Sequence, residues 1–246
     1  MLVRGTNQYG PEKTMLVKEA KEIVGSLGDP TKMPGFSYGL PACKASWVPE
    51  YCKKLNLPIP ADYGCKVGQI LSDLPNTPCF KCYADGRGNY SYESVKHGQL
   101  LRLIGTYHPR WKEAMIMLID RYIDYDDPYF RWLDSGDIPH RKMLLDIIEI
   151  AKELPFVNFW LPTQERKQLH GIGKIPPNLC VRVSHIRLDD HDYTSNTWYN
   201  SSSVSTEGHD YLFDQFTCPS DQYSNTCGPC RKCWDTANRH TIYHIH

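Results

Sequence analysis

The sequence predicts an α/β protein built on parallel strands, and three observations carry that expectation. Strand-like and helix-like segments alternate as βαβαβ between residues 129 and 184. Connections of helical length between those strands imply parallel pairing with right-handed crossovers. Polar residues follow each strand, as they do where parallel folds gather functional groups. The expected architecture is a parallel (β/α) barrel or partial barrel, with an irregular Cys-rich N-terminal region and a C-terminal cysteine loop.

The first 90 residues carry prolines at 11, 30, 34, 41, 49, 58, 60, 75 and 78 with glycines between them. They read as irregular apart from a helix over 12–25. Apolar faces at helical spacing then predict helices over 91–104 (Val95, Leu100, Leu103) and 110–123 (Trp111, Ala114, Leu118). A strand over 129–133 leads into a helix over 140–154, on which Met143, Leu144, Ile147, Ile148 and Ala151 form a stripe. Strands over 157–161 and 179–184 flank a short helix over 165–170. Residues 189–208, rich in Ser, Asn and Thr, read as an exposed loop, and the apolar run 211–216 reads as the final strand. Three segments follow: 1–90 packed on a core of 91–217, with 218–246 as cysteine loop and tail, all in one integrated domain.

The chain has 246 residues, of which 41% are hydrophobic and 23% charged, an ordinary globular composition. Its 28 basic residues equal its 28 acidic ones, so net charge gives no support to nucleic-acid binding. No apolar run approaches the ~20 residues of a membrane span, and no apolar stretch follows the N-terminal positive charge. A cytoplasmic protein is expected, in which ten cysteines mean ligands and thiols rather than disulfides.

Four of those cysteines, Cys218, Cys227, Cys230 and Cys233, lie near the C-terminus. The last three form two overlapping C-x2-C units, which turn three thiolates towards one centre, and Cys218 supplies the fourth corner. A [4Fe–4S] cluster or a structural zinc ion would satisfy this set. The spacing favours the cluster, because structural zinc usually joins two separate pairs. Pro219 after Cys218 matches the Cys-Pro step that carries the remote ligand in ferredoxins. Trp234, beside Cys233, would shield such a site from solvent.

Five further cysteines, Cys43, Cys52, Cys65, Cys79 and Cys82, fall in the irregular region. Cys79 and Cys82 make a lone C-x2-C, a candidate second metal or redox site together with some of the other three, against buried free thiols as the alternative. A rim pocket is expected from the residues after the strands: Asp134, Ser135 and Asp137; Thr163 and Gln164; Ser184 and His185. Several of these would serve equally as turn residues and helix caps. His240, His244 and His246 read as an exposed tail, or as groups folded back on the cysteine loop.

Leu40-Pro41-Ala42-Cys43, the stretch Cys82-Tyr83-Ala84-Asp85-Gly86 and the run from Cys218-Pro219 to Cys233-Trp234 resemble the uncharacterised phage family "gene product 88". That resemblance implies a phage protein of the host cytoplasm without a defined activity. The middle section is also similar to radical S-adenosylmethionine barrels, with Ser135-Gly136-Asp137 at the place of their Gly-and-acid motif. The C-x3-C-x2-C triplet of those enzymes is absent from this chain. Four cysteines on one cluster leave no open iron, which suits electron transfer to a redox partner protein. The alternatives are a zinc-stabilised interaction module without catalysis and a radical S-adenosylmethionine-like enzyme.

Overall fold

The fold is described by a computed structural model covering residues 15–190, 199–206 and 216–245. Seven strands form one all-parallel sheet: β1 Phe36–Tyr38, β2 Tyr129–Trp132, β3 Asn158–Thr163, β4 Leu179–Ser184, β5 Asn200–Ser205, β6 Phe216–Thr217 and β7 His240–His244. Their order is β1-β2-β3-β4-β5-β7-β6, and no described ladder joins the edge strands β1 and β6. The sheet draws strands from all three sequence segments.

The helices are α1 Val17–Val24, α2 Val48–Leu55, α3 Lys66–Leu71, α4 Glu93–Gly105, α5 Trp111–Tyr122 and α6 Arg141–Glu153. Phe130 and Trp132 of β2, Phe159 and Leu161 of β3, and Leu179, Val181 and Val183 of β4 alternate onto one face. There they pack against Ala114, Met115 and Leu118 of α5 and Met143, Leu144 and Ile147 of α6, all buried. Tyr38, Trp111 and Trp132 stack edge-on within this core, and Trp111 Nε1 donates to the Tyr38 hydroxyl at 3.1 Å. Buried rings of this size contribute heavily to stability, and the shared hydrogen bond offsets the cost of burying the Trp111 and Tyr38 polar atoms, while Trp132 Nε1 has no hydrogen-bond partner among the described residues.

The amphipathic periods place α4, α5 and α6 within two residues of their expected bounds, and β4 has its expected span. Within the first expected helix, 12–25, Val17–Val24 form α1, and the short helix is a 3-10 turn, Arg166–Leu169. Two expectations need correction. The polar stretch read as an exposed loop contains β5, whose Asn200, Ser201, Ser202, Ser203 and Ser205 are buried. Of the histidine tail, His240 and His244 lie on β7 and His246 lies outside the described residues; His240 is 3% exposed, with both its ring nitrogens against the Ser201 and Ser203 hydroxyls of β5, at 2.7 and 3.0 Å. Of the run 211–216 read as the final strand, 211–215 lie outside the described residues and the last position, Phe216, opens β6. The cysteine loop therefore joins two strands of the sheet instead of trailing from the last one.

Candidate metal centre

Side chains that alternate away from the helices form a second face, and the C-terminal loop covers it. Trp160 of β3, Cys233 and Trp234 of the loop and Tyr243 of β7 pack together there with Tyr129 and Met33. Trp234 Nε1 donates to the Phe130 carbonyl at 2.9 Å, and its ring meets Tyr129 and Trp160 edge-on. Trp234 is 4% exposed and wedged beneath the loop.

Two strand side chains grip the loop backbone. Asn200 donates to the carbonyls of Thr236 and Asn238 at 3.1 and 2.8 Å. Arg182, fully buried on β4, donates to Ser201 O on β5 and to the loop carbonyls of Lys232, Cys233 and Asn238. At the loop ends, the Cys218 N–H donates to Ile242 O at 2.8 Å and the Cys227 N–H to Lys32 O at 2.9 Å. Gly228 adopts φ +49°, and a Cβ there would meet the Tyr223 ring at 2.7 Å, so the tight turn between Cys227 and Cys230 requires glycine.

Electrostatics tie the four thiols into one group. Burial pushes the Cys227 thiol up, and the neighbouring Cys218 and Cys230 push it further, while Arg131 and Arg231 pull it down. Burial raises Cys233 to about 12, against the Tyr243 hydroxyl at 3.2 Å and Arg182, which favour its thiolate. Among the described residues, no three His, Cys, Asp or Glu side chains already stand at ligation spacing. Ligation would therefore require these thiols to lose their protons and close on the ion.

The surroundings fit such an anionic guest. Arg182 has no carboxylate partner among the described residues, although a buried charge ordinarily needs one. Arg182 Nε, Arg131 Nε and Trp160 Nε1 are buried with no hydrogen-bond partner among the described residues, and all three are N–H donors on the covered face. The Arg131 guanidinium stacks 4.2 Å from the Trp160 ring. N–H donors without acceptors, beside a buried cation without a carboxylate, are what sulfur anions of a tetrathiolate centre would satisfy. Cys230 also lines a groove of ≈ 580 Å³ with Pro229, Arg231, Lys232 and Tyr129, which brings one corner of the set towards solvent.

The predicted rim residues meet at the carboxyl ends of β2, β3 and β4, chiefly by bonding one another. Asp137 accepts from Thr163 Oγ1 at 2.6 Å, the Gln164 N–H at 2.7 Å and its neighbour Ile138 N–H at 2.8 Å. Burial nevertheless pushes its carboxyl up to about 6. Gln164 Nε2 donates to His185 O, and Ser184 Oγ lies 3.4 Å from Ser202 Oγ. Ser135 accepts from Gln99 at 2.7 Å and donates to Leu40 O, clamping the ends of β1 and β2 together. Asp134 keeps one buried carboxylate oxygen without a hydrogen-bond partner among the described residues.

Of the five N-terminal cysteines, Cys43, Cys65, Cys79 and Cys82 lie near one another and Asp137 at this rim, short of ligation spacing. Cys52 on α2 packs instead with Ala45, Val48 and Leu100. Sequence reasoning overlooked Arg182; its signal was an arginine inside the otherwise apolar strand Leu179-Cys180-Val181-Arg182-Val183.

An all-parallel α/β sheet with helices on one face and a cysteine loop gripped on the other defines the class of this protein. The chain belongs to the phage-type "Gene product 88" family, whose model matches residues 10–236. No curated protein and no solved structure matches it.

Proposed function

We propose that this chain is an iron–sulfur protein that binds a [4Fe–4S] cluster through Cys218, Cys227, Cys230 and Cys233 and serves electron transfer or another redox role in the host cytoplasm. The observation that carries this reading is Arg182, a fully buried cation beneath the cysteine loop with no carboxylate partner among the described residues. Four thiolates around a cluster supply the missing negative charge, and the orphaned N–H donors of Arg131 and Trp160 would meet its sulfur atoms. The cluster would supply one-electron chemistry. The protein would hold it dry behind Trp234 and Trp160 and tune its potential through Arg131, Arg182 and the Tyr243 hydroxyl. Full thiolate ligation leaves no open iron, so the partner is another redox protein, met at the groove beside Cys230.

Anaerobic purification followed by iron and sulfide analysis tests the proposal. The expected protein is brown, absorbs broadly near ~400 nm and bleaches with dithionite, as thiolate-ligated clusters do. A colourless protein holding stoichiometric zinc would replace it with the zinc-stabilised interaction module.

A further inference from the structure

One group of metal-ligating side chains plays no part in the proposal above. β1 ends at Tyr38, and the chain runs through Leu40, pinned to Ser135 at the exit of β2, directly into Cys43. Cys43 is 3% exposed and holds φ +53°, a left-handed conformation that costs a non-glycine residue free energy. That conformation lets its N–H donate to Cys65 Sγ at 3.3 Å while its carbonyl accepts from the Cys65 N–H at 2.9 Å. Gly64, at φ +76°, allows this approach, because a Cβ there would stand 2.3 Å from the Cys43 carbonyl oxygen.

Cys79 closes on the same space. A Cβ added to Gly68 would lie 3.6 Å from Cys65 Sγ and 3.8 Å from Cys79 Sγ, so the two sulfurs flank one point that glycine leaves clear. Cys82 follows through a tight turn in which its N–H donates to Cys79 O at 3.3 Å. Burial raises Cys79 to about 12, and Cys82, Cys43 and Asp137 add to it; burial likewise raises Cys82 to about 11, with Cys43 adding to it. Asp137 itself is taken up by three donated hydrogen bonds and is not needed as a ligand.

We infer that Cys43, Cys65, Cys79 and Cys82 form a second tetrathiolate metal centre at the carboxyl rim of the sheet, with Cys52 excluded. The region around it has three short elements, β1, α2 and α3, joined by long irregular stretches. Four metal–thiolate bonds would tie these stretches to one another next to the ends of β1 and β2. An N–H donated to Cys65 Sγ is the contact a ligating thiolate uses. The sulfur set accepts either zinc or an iron–sulfur cluster, and the two differ in sulfide content.

The test is metal and sulfide analysis of anaerobically purified full-length chain beside three variants. Cys79→Ser/Cys82→Ser should lose one of two centres: about half the iron and sulfide if both hold clusters, or all zinc with iron unchanged. Cys52→Ser should lose nothing. Cys230→Ser/Cys233→Ser should lose only the C-terminal share, so failure of either centre leaves the other legible. A Cys79→Ser/Cys82→Ser protein that folds and keeps the full wild-type metal content overturns the inference. Should that variant not fold, alkylation and mass spectrometry of the wild-type protein decides. Cys79 and Cys82 protected until the metal is removed support the centre, and equal labelling before and after removal overturns it.

Discussion

Arg182 is the residue on which the account of the cysteine loop turns. It donates to three loop carbonyls and to Ser201 O, and its charge favours the Cys233 thiolate. Arg182→Gln should cost about 3 kcal/mol and strip the metal from the C-terminal site, while Arg182→Lys, which keeps the charge, should retain part of it. Thermal melts and metal content of the two variants check this. His140 illustrates a second kind of residue, a neutral cap. Its Nδ1 accepts from the Met143 N–H at 3.1 Å at the start of α6, and its Nε2 faces Thr106 Oγ1. Burial holds its pKa below the ordinary value of 6.5, so the unfolded chain takes up the proton first. The stability it lends is complete above pH ~6.5 and is lost as pH falls below that value. His140→Asn should therefore flatten the acid side of the urea-denaturation profile, and His140→Ala should cost about 1 kcal/mol at neutral pH. The C-terminal cysteine motif was legible in the sequence because its close spacing marks it. The grouping of Cys43 and Cys65 with Cys79 and Cys82 was not, because it depends on a left-handed turn and two glycines that bring distant segments together.

Among the elements, those with an apolar period declared themselves. α6 carries its stripe without interruption, and β4 shows five buried residues in succession, as a strand inside a parallel sheet should. β5 could not be read this way, because Asn200-Ser201-Ser202-Ser203-Val204-Ser205 has no hydrophobic pattern. It is buried by hydrogen bonding instead: Asn200 to loop carbonyls, Ser201 and Ser203 to His240. β1 was hidden by its length of three residues between glycines and prolines. Gly136, in the connection that leaves β2, shows how tightly these ends meet. It holds φ +77°, and a Cβ would stand 2.8 Å from both the Leu40 Cβ and its carbonyl oxygen. Gly136→Ala should destabilise the protein by about 1–3 kcal/mol, measured by urea denaturation, and should disturb the β1 exit that leads to Cys43.

At the scale of the whole molecule, the sheet separates two environments. One face is an apolar core under α5 and α6; the other carries cations, N–H donors and tryptophans beneath a cysteine loop. No helix among the described residues is long and apolar enough to cross a membrane. The parallel fold was legible because crossover spacing encodes it. The polarity of the second face was not, because it depends on which side of each strand meets the loop. On the proposed reading, this second face holds an anionic [4Fe–4S] cluster. Electron paramagnetic resonance of the anaerobically purified, dithionite-reduced protein tests it most directly, read together with iron and sulfide content. The wild type should give the signal of a reduced [4Fe–4S] cluster, and Cys230→Ser/Cys233→Ser should lose it. An iron-free, sulfide-free and EPR-silent wild-type protein would contradict it.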